Sequence, residues 1–363
     1  MQQRSALSGG AMSQPIPRLK DVAEAANVSL SAASRILRGE RDRFGAETCE
    51  RVIAAARRLG WRKNLLVSSM QTGRTKTIGV IIPPYDSFWV GVLSGIHAAL
   101  AVADYLPITV WVGDATVHPA MAPQDDQEGF AQIDRLLDRR VDGLILWPRF
   151  AASYYDHFRE LIERRVPVAV IDHESSAERI ADSIETDEEQ ATHEVAEYLI
   201  RLGHTRIACV STIEDKWHAW AKRRRSHFED TLRRLSLVDY EFWQISAQAA
   251  DAVEQVTDML ASWRPSAVFA VTDHEAVVVY HAAHELGLRI PEDLSVIGFA
   301  DLDFAAMLTP PLTTIRQRPK EIGRQAARLI VDRLEGLITD EATTIRVGSE
   351  MILRGSTAPP AAS

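Results

Sequence analysis

From Thr77 onward the chain alternates short apolar runs with longer stretches of helical spacing, and this alternation restricts the fold more than any other feature. Strands are expected at Thr77–Ile82, Ile108–Val112, Gly143–Trp147, Val168–Ile171, Ile207–Ser211, Ala267–Val271 and Ser295–Phe299. Helices are expected between them, at Phe88–Val102, Gln127–Arg139, Glu188–Leu202, His218–Leu235, Asp251–Ser262 and Glu275–Leu286. Such a pattern gives parallel, doubly wound sheets covered by helices on both faces. About 275 residues suit two α/β lobes of this kind. Ligands bind outside the carboxyl ends of such strands, which in a two-lobed body means the cleft between lobes. Phe88 and Trp89 follow the first strand and offer an aromatic face for a ring. Trp147, Arg149, Asp172 and His173 end strands on the same side.

The first 75 residues are of a different kind. They hold 13 Lys and Arg against 6 Asp and Glu, a charge of +7; the remainder holds 28 against 44, a charge of -16. A small basic head on an acidic body predicts nucleic-acid contact confined to the head. Leu19, Val22, Ala23 and Ala26 share one helical face, Ser29 is a natural N-cap for a helix over Leu30–Leu37, and Gly39 ends it. A third helix is expected over Ala46–Leu59, with Gly45 at its N-cap. The first two form a helix-turn-helix unit in a small all-α domain. In that arrangement Leu30, Ser31, Ala32 and Arg35 of the second helix point into a major groove, where Arg35 can take a guanine edge. Arg38, Arg41, Arg43, Arg57, Arg58 and Lys63 would neutralise phosphates.

Several chemistries are not expected. The two cysteines, Cys49 and Cys209, have no neighbour at metal or redox spacing. His281 and His284 share a helical face but lack an evident third ligand, so no metal and no cofactor is expected. The sequence contains no dinucleotide fingerprint, phosphate loop, zincin motif or nucleophile elbow, which argues against an enzyme. No apolar run is long enough to cross a bilayer, and Met1–Pro17 lacks the apolar segment of an export signal.

The run Leu19-Lys20-Asp21-Val22-Ala23, Val28-Ser29, Ser34-Arg35-Ile36-Leu37 and Gly39 resembles the head of the lac/gal repressor family. So do Thr48, Arg51-Val52, Ala55-Ala56, Leu59-Gly60-Trp61-Arg62 with Asn64, then Thr72-Gly73-Arg74-Thr75. Leu202-Gly203-His204, Pro291-Glu292-Asp293 and Thr309-Pro310-Pro311-Leu312-Thr313-Thr314-Ile315-Arg316-Gln317 continue the similarity to about residue 353. Residues 1–17, polar and rich in Gln, Ser, Gly and Pro, read as a disordered tail, and 354–363, past the similarity, as a flexible one; the resemblance implies a helix-turn-helix domain (18–62), a hinge helix (63–75) and a periplasmic-binding-protein-like body (76–353). It implies an N-lobe of 76–173 and 308–338 and a C-lobe of 174–305 and 340–353, with crossovers near Asp172–Ser175, Leu302–Leu308 and Gly336–Glu341. In the hinge, Met70 takes the place of an intercalating leucine and Val67 that of an alanine. Arg224 matches an effector-binding arginine, although His227 replaces the glycine of that motif. Asp273 stands where the family places a ligand-binding aspartate, and Ala300 replaces the first aspartate of a Gly-Phe-Asp-Asp pattern.

The function so implied is a cytoplasmic transcription repressor of a catabolic operon. It would act as a homodimer on double-stranded operator DNA, with a higher oligomer left open, and answer to a carbohydrate or derivative bound between the lobes. A corepressor-dependent regulator is the alternative within this class. A solute-binding protein is the alternative for the body alone.

Overall fold

The computed structural model describes residues 17–63, 69, 73–83, 86–111, 127–147, 159–161, 163–172, 181–212, 219–236, 239–246, 249–339 and 341–361. The chain divides into two compact units, Met1–Arg74 and Thr75–Ser363. In the first, α1 (Leu19–Ala25), α2 (Leu30–Leu37) and α3 (Ala46–Leu59) enclose Val22, Ala23, Ala26, Ala33, Ile36, Val52, Ala55 and Ala56. Five alanines in so small a core let the helix backbones approach closely. Asn27, at φ 52, makes the tight turn after α1, a conformation asparagine tolerates well. Ser29 Oγ then accepts from the Ala32 N–H at 3.1 Å and caps α2. Gly60, left-handed at φ 66, stops α3.

The second unit holds two six-stranded sheets. The elements in order are β1 (Thr77–Ile82), α4 (Ser87–Val102), β2 (Leu106–Trp111), α5 (Gln127–Asp138), β3 (Gly143–Leu146), β4 (Val168–Ile171), β5 (Asp182–Thr186), α6 (Glu188–Arg201), β6 (Arg206–Thr212) and α7 (Ala219–Arg234). Then come β7 (Asp239–Ile245), α8 (Ala249–Trp263), β8 (Ala267–Ala270), α9 (Asp273–Glu285), β9 (Ser295–Ala300), β10 (Thr313–Arg316), α10 (Pro319–Glu335), β11 (Thr344–Val347) and β12 (Glu350–Ile352). The first sheet has the order β11-β5-β4-β3-β1-β2 and the second β12-β10-β9-β8-β6-β7. All pairings are parallel except β10 with β12.

The lobe boundaries differ from those expected. The chain leaves the first sheet only after β5, returns between β10 and α10, and crosses again between β11 and β12. Residues 182–186 and 344–347 therefore belong to the first lobe, and β10 to the second. β5 reads Asp-Ser-Ile-Glu-Thr, yet all five residues are buried. Its polarity is answered from far along the chain. Arg333 donates to both oxygens of Asp182 at 2.8 and 2.7 Å, and the Thr343 N–H adds a third bond at 2.8 Å.

The terminal segment, expected to be flexible, is instead packed through residue 361. Ser356 is fully buried, donating to the Val296 carbonyl at 2.6 Å and accepting from the Thr313 N–H at 2.8 Å. His204 bonds the Ala358 carbonyl at 3.0 Å and Ser266 Oγ at 2.9 Å. An Arg-Gly-Ser-Thr-Ala-Pro-Pro run has the composition of a loose end, but here its backbone satisfies polar groups at the rim of the second sheet.

Helices α4 and α10 cross backbone to backbone. A Cβ at Gly95 would collide with the Lys320 carbonyl, and one at Gly323 with the Val92 carbonyl. Neither neighbour is a flexible side-chain end, so the helices themselves must separate. Gly95→Ala is expected to cost about 1–3 kcal/mol of overpacking, read as a lower midpoint in chemical unfolding.

Candidate functional site

One helix of the head, α2, carries a cation and no acid. On α2, Leu30, Ser31, Arg35 and Arg38 are exposed and Ala32 is half-buried; Leu30, at 53% exposure, is an apolar side chain at the solvated start of the helix. Arg38 donates to Ser34 Oγ at 2.7 Å, which lays its stem along α2. Acidic groups lie on the other two helices and, as Glu40 and Asp42, in the loop before α3. Asp21 accepts from the Arg18 N–H at 2.7 Å, Glu24 pairs with Lys20 at 3.5 Å, and Glu47 pairs with Arg51 at 3.3 Å. Leu30–Leu37 contains no acid, so its surface keeps a positive potential. Lys63 is exposed; Asn64, Val67 and Met70 lie outside the described residues.

In the sensor unit, the carboxyl ends of both sheets contribute to one aromatic cluster. Asp86 Oδ1 accepts from the Phe88 and Trp89 N–H groups at 3.0 and 3.3 Å, starting α4 directly after β1. Phe88 and Trp89 are both buried and meet edge to face at 5.2 Å. Trp147, one residue past β3, lies 5.4 Å from the Trp89 ring. Leu302, Ala300 and Phe304, which leave the second sheet, pack against the same cluster, and His274 stacks on Phe304 at 5.3 Å. Ala300 (φ 117) and Asp301 (φ 55) carry positive φ in succession. For non-glycine residues this is a strained exit from β9, of the kind that gathers at functional sites.

Beside the aromatic cluster lies a buried set of charges. Arg224 is 2% exposed. It donates from Nε and Nη2 to the two oxygens of Glu188 at 2.7 and 2.8 Å, and from Nη1 to the Val271 carbonyl. Its guanidinium lies 3.4 Å from the centre of the Phe299 ring and 4.9 Å from that of Trp220. Arg223 Nη2 approaches Glu185 Oε2 at 3.5 Å, and Arg346 reaches Glu185 Oε1 from the outside at 3.2 Å. Asp172, 8% exposed, is pushed up to about 7 by burial and by the Glu188 charge, against the opposing pull of Arg223, Arg224 and a backbone bond from Thr186.

A basic helix-turn-helix head joined to a two-lobed sensor of this kind has known relatives. The chain is 31% identical to the HTH-type transcriptional repressor CytR of Escherichia coli (strain K12), over 93% of this chain and 96% of that protein. It belongs to the lacI family of bacterial regulatory proteins. The family's own model matches residues 18–64, and a periplasmic binding protein-like domain matches residues 196–357. The HTH-type transcriptional repressor PurR of Vibrio vulnificus (strain CMCP6) is 28% identical over 87% of this chain and 92% of its own length. A LacI family transcriptional regulator from Enterococcus faecium, solved with bound ribose, superposes with a TM-score of 0.64 at 28% identity, covering 78% of this chain and 99% of that one. The chain is thus a DNA-binding transcription regulator, from a family of regulators rather than enzymes. Among the described residues no helix is long and apolar enough to cross a membrane, and no His, Cys, Asp and Glu cluster could hold a metal.

Seen as a lacI-family sensor, the unit places the sequence-predicted residues unevenly. Phe88, Trp89, Trp147 and Asp172 stand at strand ends, as expected. Arg149 and His173 lie outside the described residues. Arg224, expected to reach for an effector, has three of its five N–H donors committed to Glu188 and Val271. Asp273 is fully buried as well. One of its oxygens accepts from Thr314 Oγ1 at 2.6 Å and the other from the Leu302 N–H at 2.7 Å, and burial pushes it up to about 6. It ties β10 and the segment after β9 to the start of α9. Asp301, which follows Ala300, is held by Arg316 and Arg354, each at 2.6 Å. Sequence reasoning does not find Glu185, Glu188, Arg223 or Phe304. Glu188 has the sequence appearance of an ordinary acid in a helix's first turn, and nothing local signals that an arginine 36 residues away covers it.

Proposed function

We propose that the chain represses transcription in the cytoplasm as a homodimer on a roughly palindromic operator, without catalysis. A small molecule held between the lobes releases it. The observation that carries this reading is the aromatic cluster built by strand ends of both lobes, Trp89 and Trp147 from one and Phe304 from the other. A ligand touching both lobes changes their closure, and its differential affinity for the closed form is what shifts operator affinity. Asn64, Val67 and Met70 are proposed as the hinge, with Met70 as the minor-groove wedge. Relatives support the reading: one is named as the ribose operon repressor of Escherichia coli (strain K12), 29% identical over 328 residues.

The test is selection of bound sites from random DNA, followed by salt titration of the winner and a thermal-shift screen of sugars, polyols and nucleobases. Arg35→Ala is expected to weaken the selected site by about 1–3 kcal/mol and relax preference at one base pair, while Lys63→Ala weakens all sequences alike. An unchanged preference in Arg35→Ala would remove α2 from the recognition role.

A further inference from the structure

Four buried side-chain atoms at one place lack a hydrogen-bond partner among the described residues: Asp172 Oδ1, Glu185 Oε2 and both Arg223 Nη atoms. They are neighbours by topology. β4 pairs with β5 up to Ile171 and Ile184, and the Asp172 N–H donates to the Ile184 carbonyl at 2.9 Å, so Asp172 and Glu185 follow each other across adjacent strand ends. On the other side β3 pairs with β4 up to Leu146 and Val170, so Trp147 comes level with Ile171, one residue before Asp172. The charges there do not balance. Among the described residues Asp172, Glu185 and Glu188 face only Arg223 and Arg224 within the buried set; Arg346, which also reaches Glu185, has 60% of its side chain in solvent, where its charge is screened. Arg224 commits Nε and Nη2 to Glu188 and Nη1 to Val271, so among the described residues Asp172 shares Arg223 with Glu185 and has no cation of its own.

A buried carboxylate at the end of the strand next to the one that carries Trp147, whose ring lies 5.4 Å from that of Trp89, offers the chemistry that holds an ammonium, one group supplying charge and the others a π face. An acid in the same place would meet a surplus of negative charge in a poorly solvated site. Glu185 Oε2 and the Arg223 Nη atoms add an acceptor and donors, a set that ring or chain hydroxyls can match. Resting on the cleft reading above, we infer that the effector is a hydroxylated amine, an amino sugar or amino polyol, with its ammonium between Asp172 and the Trp147 and Trp89 rings.

The experiment uses the full chain and matched probes: glucose, glucosamine and glucuronate; galactose, galactosamine and galacturonate; sorbitol, glucamine and gluconate. Calorimetry and ligand-induced melting shifts are read against each variant's own unliganded melting point. The amine of at least one set is expected to bind at least tenfold tighter than its neutral and acidic partners, and Asp172→Asn is expected to abolish that preference. A neutral or acidic probe that binds best, or no binding by any amine, overturns the inference. So does an amine preference that survives Asp172→Asn. If the best probe is neutral or acidic and Trp89→Ala loses it, the cleft reading stands without the amine. If the best probe binds Trp89→Ala as it binds the parent protein, the cleft reading itself fails and the inference with it.

Discussion

Alanine at position 224 is expected to destabilise the sensor unit by about 3–5 kcal/mol, because it strands a buried charge. Glu188 and Arg224 each expose 3% of their side chains, and the pair is bidentate at 2.7 and 2.8 Å. Removing the guanidinium leaves Glu188 without its cation in a dry site, opens space above Phe299 and frees the Val271 carbonyl. Replacing both partners together by leucine should recover most of the loss, since an apolar pair carries no desolvation penalty. Urea unfolding of the three variants measures this. A loss below about 1 kcal/mol in Arg224→Ala would mean that Glu188 finds another partner or water. The result also bears on function. Weak effector binding by Arg224→Ala reports a contact only if the same variant is shown to be folded, and Glu188→Gln, which keeps an acceptor for Arg224, is the better probe of the cleft.

Agreement between sequence and structure has a physical cause. β1 and β4 are legible to the residue, at Thr77–Ile82 and Val168–Ile171, because from Ile78 on in β1 and throughout β4 the residues are apolar and buried. α2 is equally legible, since Ser29 and Gly39 mark its ends within the local sequence. β5 and β7 do not read as strands. Asp182 and Glu185 become acceptable inside a sheet only because Arg333, Arg223 and Arg346 arrive from elsewhere, and no window of about ten residues contains that fact. The site divides the same way. Trp89, Trp147 and Asp172 follow from where strands end, a rule of topology. The roles of Arg224 and Asp273 depend on which way a side chain turns after the strand. Thr272 Oγ1 accepts the His274 N–H at 3.1 Å and starts α9, with Asp273 turned inward onto Thr314. Gly298 allows this, because a Cβ there would strike the Asp273 carboxylate.

Asparagine at position 172 is expected to raise stability at pH 8 by about 2–4 kcal/mol, since each tenfold change in a group's proton affinity on folding corresponds to roughly 1.4 kcal/mol. Burial pushes Asp172 up to about 7 from an unfolded value of 3.8. Between those values the folded state holds a proton that the unfolded state has released, so stability falls as pH rises from about 4 to 7 and then stays level. Asp273, raised to about 6, contributes in the same direction but only below pH 6. The two are therefore separable. Of these two groups only Asp172 titrates between pH 6 and 7, so Asp172→Asn should remove its fall from that interval, leaving the opposite rise up to pH 6.5 that His204 and His274 contribute because burial holds both below their usual value. Chemical unfolding midpoints at half-unit steps from about pH 4 to 8 provide the measurement. An unaltered slope between pH 6 and 7 would show that Asp172 is ionised and paired in the free protein. A carboxylate that can be removed with a gain in stability is not maintained for folding. The same substitution should therefore weaken effector binding as it strengthens the fold, and operator binding without effector should stay at the level of the parent protein.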